Sequence, residues 1–307
     1  MGLVSRRRLI VSAVTIGCAW LLAACVNIGD PSTPGVTDKV QTAGLQGGAS
    51  ATSGRELWLI PSPQDGLLMR AYVYRPAGNG PFPLAVVNHG SDQDRLQRAR
   101  TGMPSFPAIT NWLLARGYAV VLPQRPGHGE TGGRYLEDQG RCTKADYTGS
   151  GRATADSIDA AIKFMTAQDF IRPAGVVVVG NSAGAWGALA LASRNPADIR
   201  AVINFSGGRG GRNRGRADSN CSPTRLVAAA GAFGRTARIP TLWLYSENDS
   251  FFPPDLSRRM SDAYRNAGGT MEYHLLPPVA GEGHLLIQTS GSNAAWQPIV
   301  ARFLDEH

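Results

Sequence analysis

Histidine and cysteine are scarce in this 307-residue chain, at five and four residues, and lysine is scarcer still at three. With so few His and Cys, no group falls at the spacing of a metal site, and no glycine-rich loop has the form that cradles a phosphate. No cofactor and no metal are therefore expected. Four cysteines are also too few for a small disulfide-dense scaffold. Long hydrophobic runs are missing as well: the apolar stretch from Leu9 to Ala24 has 16 residues, short of the ~20 that span a bilayer as a helix. The formal charge is +8, and Arg outnumbers Lys 28 to 3. A skewed nucleotide composition accounts for that ratio more simply than a nucleic-acid partner, so no nucleic acid is expected.

What is present begins at the N-terminus. Arg6, Arg7 and Arg8, the apolar run from Leu9 and the small residues before Cys25 make up the charged, apolar and small-residue regions of an export signal over residues 1–24. The alternative is an uncleaved anchor. The "LLAAC" ending resembles a bacterial lipobox, which implies that Cys25 is acylated and tethers the protein to a membrane surface. "SRRRLIV" also resembles a twin-arginine export signal. The expected location is thus the exported side of a membrane, as an anchored lipoprotein, on the outer membrane if the host has one. Removing the signal leaves 28 basic and 23 acidic groups, a net of +5. Cys142 and Cys221 then remain, and two thiols in an oxidising compartment suggest one disulfide; two separate buried thiols are the alternative.

Val26 to Gly54 is rich in Gly, Ser, Thr, Ala and Pro without apolar period, and reads as a flexible tether with a reach of about 30 Å. From Arg55 the pattern changes to short apolar runs alternating with helical segments. "ELWLIPS" and "LLMRAYVYRPA" read as a hairpin around "PQDG". "PLAVVNHG", "YAVVLPQRPGHG", "VVVVGN", "RAVINFSGG", "PTLWLYSEND" and "MEYHLLPP" follow as strands. Their continuous apolar character fits strands covered on both faces. "ITNWLLARG", "ATADSIDAAIKFMTAQ", the segment after Ser182, "DLSRRMSDAYRNAGG" and a C-terminal stretch from about Trp296 read as helices. Strand–helix alternation implies an α/β fold with a mostly parallel central sheet and helices on both faces. It runs from 55 to 307 as one domain.

Within this pattern, "VVVVGNSAGAWGALALA" places Ser182 in a Gly-x-Ser-x-Gly between a strand and a helix. With 37 Gly and 21 Ser, roughly 0.3 such pentapeptides would arise by chance, so the context carries the weight: strand, sharp turn, helix is the setting in which a serine nucleophile is presented. Gly180 and Gly184, lacking Cβ atoms, let such a turn pass close to its neighbours.

On these residues the chain resembles the α/β-hydrolase family over 55–307, and within it the dienelactone-hydrolase-type esterases. The resemblance implies nucleophile, acid and histidine in that chain order. His89 and His128 precede Ser182, His307 is terminal and His274 lies in a strand, which leaves His284 in "GEGHLLI" as the general base. The acid belongs after the penultimate strand, where "SENDSFFPP" offers Glu247 and Asp249; Asp249 matches the family arrangement better, and Glu282 is a further competitor. The family's oxyanion hole would use the backbone N–H groups of Ala183 and, in "VVNHGSDQ", of Ser91, with His89 shaping the turn. "QRPGHGET" resembles the family's Arg-Gly-x-Gly turn, with Pro126 at a common Gly position. Only 209–238 separate two late strands, so a lid is small or absent. The segment "GGRGGRNRGRADSNC" brings Arg209, Arg212, Arg214 and Arg216 near the mouth, either to bind an acidic group or as a solvated loop. A Cys142–Cys221 bond would staple this segment to "YLEDQGRC".

The expected function is a serine hydrolase cleaving small-molecule carboxylic esters through an acyl-enzyme. A peptidase or amidase of the same fold is the alternative, although no propeller-sized N-terminal domain accompanies it. A catalytically idle binding lipoprotein is the other. Expressed in a bacterium given an alkyne fatty acid, the chain is expected to take up label, and Cys25→Ser to lose it and leave the membrane fraction. Equal labelling of the two proteins would remove Cys25 as the acylation site.

Overall fold

The computed structural model describes residues 41–46 and 54–307. The export signal, Cys25 and most of the tether lie outside the described residues. Among those described, nine strands form one sheet in the order β1-β2-β3-β5-β4-β6-β7-β8-β9. β1 (Gly44–Leu45), β2 (Arg55–Pro61) and β3 (Leu68–Tyr74) are antiparallel, with Pro61 opposite Leu68 across the expected hairpin. Gly44 and Leu45 fall within the stretch read as tether, yet they pair with Leu59 and Trp58. A two-residue bridge needs backbone groups rather than an apolar pattern, so nothing in the side chains announced it.

The parallel part of the sheet contains β4 (Leu84–Asn88), β5 (Ala119–Pro123), β6 (Val176–Asn181), β7 (Ile199–Phe205), β8 (Thr241–Ser246) and β9 (Met271–Leu276). Side chains alternate across a strand, and both faces here are dry. Leu84 and Val86 join one core with Val176 and Val178, while Ala85 and Val87 join the other with Val177 and Val179. The first core is closed by α3 (Tyr147–Thr166), α4 (Ala183–Ala192), α5 (Pro223–Gly234) and α6 (Pro254–Asn266). The second is closed by α2 (Pro107–Leu114) and α7 (Asn293–Glu306), whose Trp112 and Trp296 rings meet edge to face at 5.9 Å. A short α1 (Arg95–Arg100) follows β4.

Local sequence accounts for the helix ends. Asp146 caps α3 by accepting the Gly149 N–H at 2.7 Å, so this helix starts ahead of the apolar period that signalled it. α5 occupies part of the 209–238 stretch between two late strands; Pro223 opens it and Leu226, Ala230 and Phe233 bury one face. The segment between β7 and β8 therefore contributes a core helix, and only residues 207–222 are left to cover anything. α4 is buried all round, and its small residues explain why: a Cβ on Gly187 would lie 2.2 Å from the Thr154 methyl of α3.

Cys142 and Cys221 are joined in a disulfide across 79 residues of sequence. A loop of that size loses enough unfolded-chain entropy for the bond to add about 4 kcal/mol. Replacing both cysteines with serine is expected to lower the urea midpoint accordingly, and an unchanged midpoint would show that the bond constrains nothing.

Candidate active site

β6 ends at Asn181 and α4 begins at Ala183, so one residue turns the chain. Ser182 does this at φ 53°, ψ −119°, a region that costs a non-glycine residue about 1–3 kcal/mol. The surroundings hold it there. Its N–H donates to Phe205 O at 3.0 Å, and its carbonyl accepts from the N–H groups of Trp186 at 3.0 Å and Gly208 at 3.2 Å. Both flanking glycines are sterically required: a Cβ on Gly180 would sit 2.3 Å from Ala185 N, and one on Gly184 would sit 2.5 Å from the Asn88 and His89 carbonyl oxygens. The serine is half-buried, and among the described residues its hydroxyl has no hydrogen-bond partner.

Asp249 follows β8 and is buried. Its Oδ1 accepts the Phe251 N–H at 2.8 Å and the Phe252 N–H at 3.0 Å, leaving Oδ2 to accept from His284 Nδ1 at 3.2 Å. A histidine donating through Nδ1 presents Nε2 as its free lone pair, the form that can take a proton from a nucleophile. Glu247 is exposed and plays no part in this arrangement. Glu282 does not compete with Asp249 either: Oε1 accepts the N–H groups of Ser250 and His284, both at 3.0 Å, and Oε2 accepts the Ser250 hydroxyl. It ties the histidine loop to the aspartate loop.

Three residues that sequence reasoning left aside complete this arm. Asn248 accepts the Val279 N–H at 3.0 Å and donates to the Val279 and Gly281 carbonyls at 2.9 and 3.0 Å. Gly283 passes so close that a Cβ there would lie 2.4 Å from Asp249 N. Phe251 stacks on the His284 ring at 4.1 Å and 18°. The Asn in "SENDS" was the available signal for the first; ring stacking has none in sequence.

On the opposite side, the turn after β4 brings Gly90 against the serine, where an added Cβ would stand 3.2 Å from Ser182 Cβ. Among the described residues, the N–H groups of Ser91 and Ala183 donate to no protein acceptor, the property that donors to a developing oxyanion must have. His89 is a buried structural residue. The Arg125 N–H donates to its Nε2 at 3.1 Å, so Nδ1 must carry the proton that goes to Gly90 O. Burial, then Arg125 and His128, hold its pKa well below the ordinary 6.5.

Behind this turn lies a cluster that no sequence pattern suggested. Glu137 accepts from Arg125 and from Arg209, and all three are buried. Burial alone would raise the Glu137 pKa, but Arg125 and Arg209 outweigh it and hold the carboxylate below its ordinary range. Arg209 thus leaves the four-arginine loop and turns inward, whereas Arg214 and Arg216 are exposed and Arg212 is half-buried against the Phe251 ring. Arg209 turns inward because Glu137 is buried there: removing one partner from such a pair strands a charge, at about 3–5 kcal/mol.

The alpha/beta hydrolase family profile matches residues 89–306, and the chain belongs to that family. Solved structures that share the fold include a puromycin-hydrolyzing peptidase of Mycobacterium tuberculosis, at TM-score 0.59 and 18% identity over 82% of this chain. This chain spans 39% of that peptidase's length. They also include an esterase of Pyrococcus furiosus, at TM-score 0.58 and 14% identity, with 82% of this chain and 92% of that one covered. A putative dienelactone hydrolase of Klebsiella pneumoniae aligns at TM-score 0.53 and 19% identity, with 81% and 97% covered. At these identities the likeness is one of fold. A search of curated proteins gives no significant match.

His128, buried beside the same cluster, has its pKa drawn from 6.5 to about 4, mainly by burial. Between those values the unfolded chain binds a proton that the folded protein does not. Stability is therefore complete above about pH 6.5 and falls by roughly 3 kcal/mol as pH drops toward 4; His89 adds to this in the same direction. Urea midpoints at pH 7.5 and 4.5 should differ accordingly, and His128→Asn should reduce the difference. Equal midpoints would mean that neither imidazole is held neutral.

Proposed function

We propose that this hydrolase cleaves small-molecule carboxylic esters through an acyl-enzyme on Ser182. The observation that supports this most is a buried histidine held by Asp249 through Nδ1, in a chain whose Ser182 turns at φ 53° between a strand and a helix. In this reading His284 Nε2 takes the Ser182 proton as the oxygen attacks the ester carbonyl. The Ala183 and Ser91 N–H groups receive the oxyanion, and the imidazolium then protonates the departing alcohol. Water reverses the sequence and releases the acid. Asp249 keeps the imidazole in the required tautomer, and no step calls for a metal or cofactor. The remaining parts of the proposal rest on sequence: acylated Cys25 holds the domain at a membrane surface on the exported side, and no nucleic acid takes part.

The peptidase alternative has a fold-level argument, since both the M. tuberculosis enzyme and a dipeptidyl peptidase 4 of Porphyromonas gingivalis share this fold; the chain spans 39% and 35% of their lengths. Hydrolysis of p-nitrophenyl acetate and butyrate is expected, with kcat lowered about 10⁴-fold or more in Ser182→Ala and by a similar factor in Asp249→Asn. Activity on aminoacyl naphthylamides without ester hydrolysis would favour the peptidase, and equal rates for wild type and Ser182→Ala would end the nucleophile assignment.

A further inference from the structure

Behind the Ser91 turn runs a line of hydrogen bonds whose direction is fixed at both ends. At one end, the Arg209 guanidinium can only donate, and its Nη1 lies 2.6 Å from the Tyr135 hydroxyl oxygen. At the other, the backbone carbonyls of Arg125 and Pro126 can only accept, and each is 3.2 Å from His128 Nδ1. Nδ1 therefore carries the ring proton. With the imidazole neutral, His128 Nε2 is an acceptor, and the Ser91 hydroxyl donates to it at 2.9 Å. The competing acceptor, Asp92 O, is farther away at 3.4 Å. Having given its proton to His128, the Ser91 oxygen accepts from Tyr135 O–H at 2.9 Å. Each hydroxyl donates once and accepts once, and no link reverses without leaving an end unmatched.

Both ends of this line are anchored in the buried ion cluster. Arg209 is held by Glu137 and by Thr154 Oγ1 at 2.9 Å. The terminal carbonyl belongs to Arg125, whose side chain grips the same Glu137. Arg125 also fixes the turn a second way, because its N–H orients His89, which bonds Gly90 O. The two imidazoles meet edge to face at 4.7 Å, and the Arg98 guanidinium lies 3.7 Å over the Tyr135 ring. The serine turn is thus clamped through one side chain and one carbonyl. A loop of this kind has no ladder of its own to define it, and a shift of about 1 Å in a reacting group can cost about 10²-fold in rate.

We propose that Tyr135 and His128 are positioning residues of the oxyanion hole: the line Arg209–Tyr135–Ser91–His128 fixes the Ser91 side chain and, through it, the peptide whose N–H receives the oxyanion. This inference rests on the serine-hydrolase reading above. In this proposal both residues act through Ser91 rather than on the substrate, so the signature is in kcat rather than KM and in coupling between the two hydroxyls.

The test is a double-mutant cycle on the full chain with p-nitrophenyl butyrate. Tyr135→Phe keeps the ring under Arg98 and removes the hydroxyl that donates to Ser91 and accepts from Arg209. It is expected to lower kcat about 10- to 100-fold with KM little changed. Ser91→Ala should lose a similar factor, and the double variant little more than Ser91→Ala alone, since the phenol reaches the oxyanion peptide only through the Ser91 hydroxyl. Losses that multiply, or a change confined to KM, would overturn the proposal. A second measurement needs no turnover: the ¹⁵N–¹H couplings of His128 should show the Nδ1–H tautomer, and an Nε2–H tautomer would reverse the line and defeat it. If wild type hydrolyses no ester but is labelled at Ser182 by a fluorophosphonate, only the ester reading falls, and labelling rates replace kcat in the same cycle. A wild type that is neither active nor labelled removes the serine-hydrolase reading and this inference with it.

Discussion

The first turn of α4 approaches the end of β4 so closely that Gly184 has the Asn88 and His89 carbonyls where a side chain would begin. This contact brings the serine turn and the Gly90–Ser91 turn to one place. Because Ser182 must sit in a left-handed conformation to make it, the strain has to be opposed by neighbours. The bonds from Ser182 to Phe205 of β7, Trp186 of α4 and Gly208 in the loop after β7 do that. The site lies at the carboxyl ends of the parallel strands for the same geometric reason as in other open α/β sheets: loops leave that edge on both sides and can converge there.

Around this contact the protein uses two different ways of holding groups still. The arm carrying Asp249 and His284 is held by neutral hydrogen bonds from Asn248, by the Glu282 carboxylate and by ring stacking, all within a span of about one loop pair. The Ser91 side is held by buried charge instead. Two guanidiniums and one carboxylate leave that cluster with a net positive charge inside the fold, linked to Ser91 through the Tyr135 hydroxyl. A low-dielectric setting makes such a charge felt farther than it would be at the surface.

Much of this was legible in the sequence, and what escaped had a common cause. The parallel strands, the hairpin and the candidate residues Ser182, Asp249 and His284 are announced by local patterns: apolar runs, a pentapeptide in context, a histidine in a late loop. The Arg125–Glu137–Arg209 cluster is not, because its partners stand 12 and 72 residues apart and an arginine among three others in a glycine-rich loop looks solvated. α5 was hidden for a related reason: an arginine-rich approach masks the Pro223 start of a helix whose apolar face is clear once its neighbours are known. β1 was hidden because two residues carry no period at all.

The Cys142–Cys221 bond has one further consequence, which concerns how the chain is closed rather than how stable it is. Covalently the described protein is a ring with two tails. The ring includes α3, β6, α4 and β7, and with them Ser182 and Ala183. The tail toward the N-terminus carries Ser91, Tyr135 and Glu137, and the tail toward the C-terminus carries Asp249 and His284. Ser182, Ser91 and the Asp249–His284 pair therefore sit on three topologically separate pieces of chain that only folding brings into one domain. Cutting or fraying either tail would remove the candidate residues it carries while the Ser182 turn stays inside its closed loop.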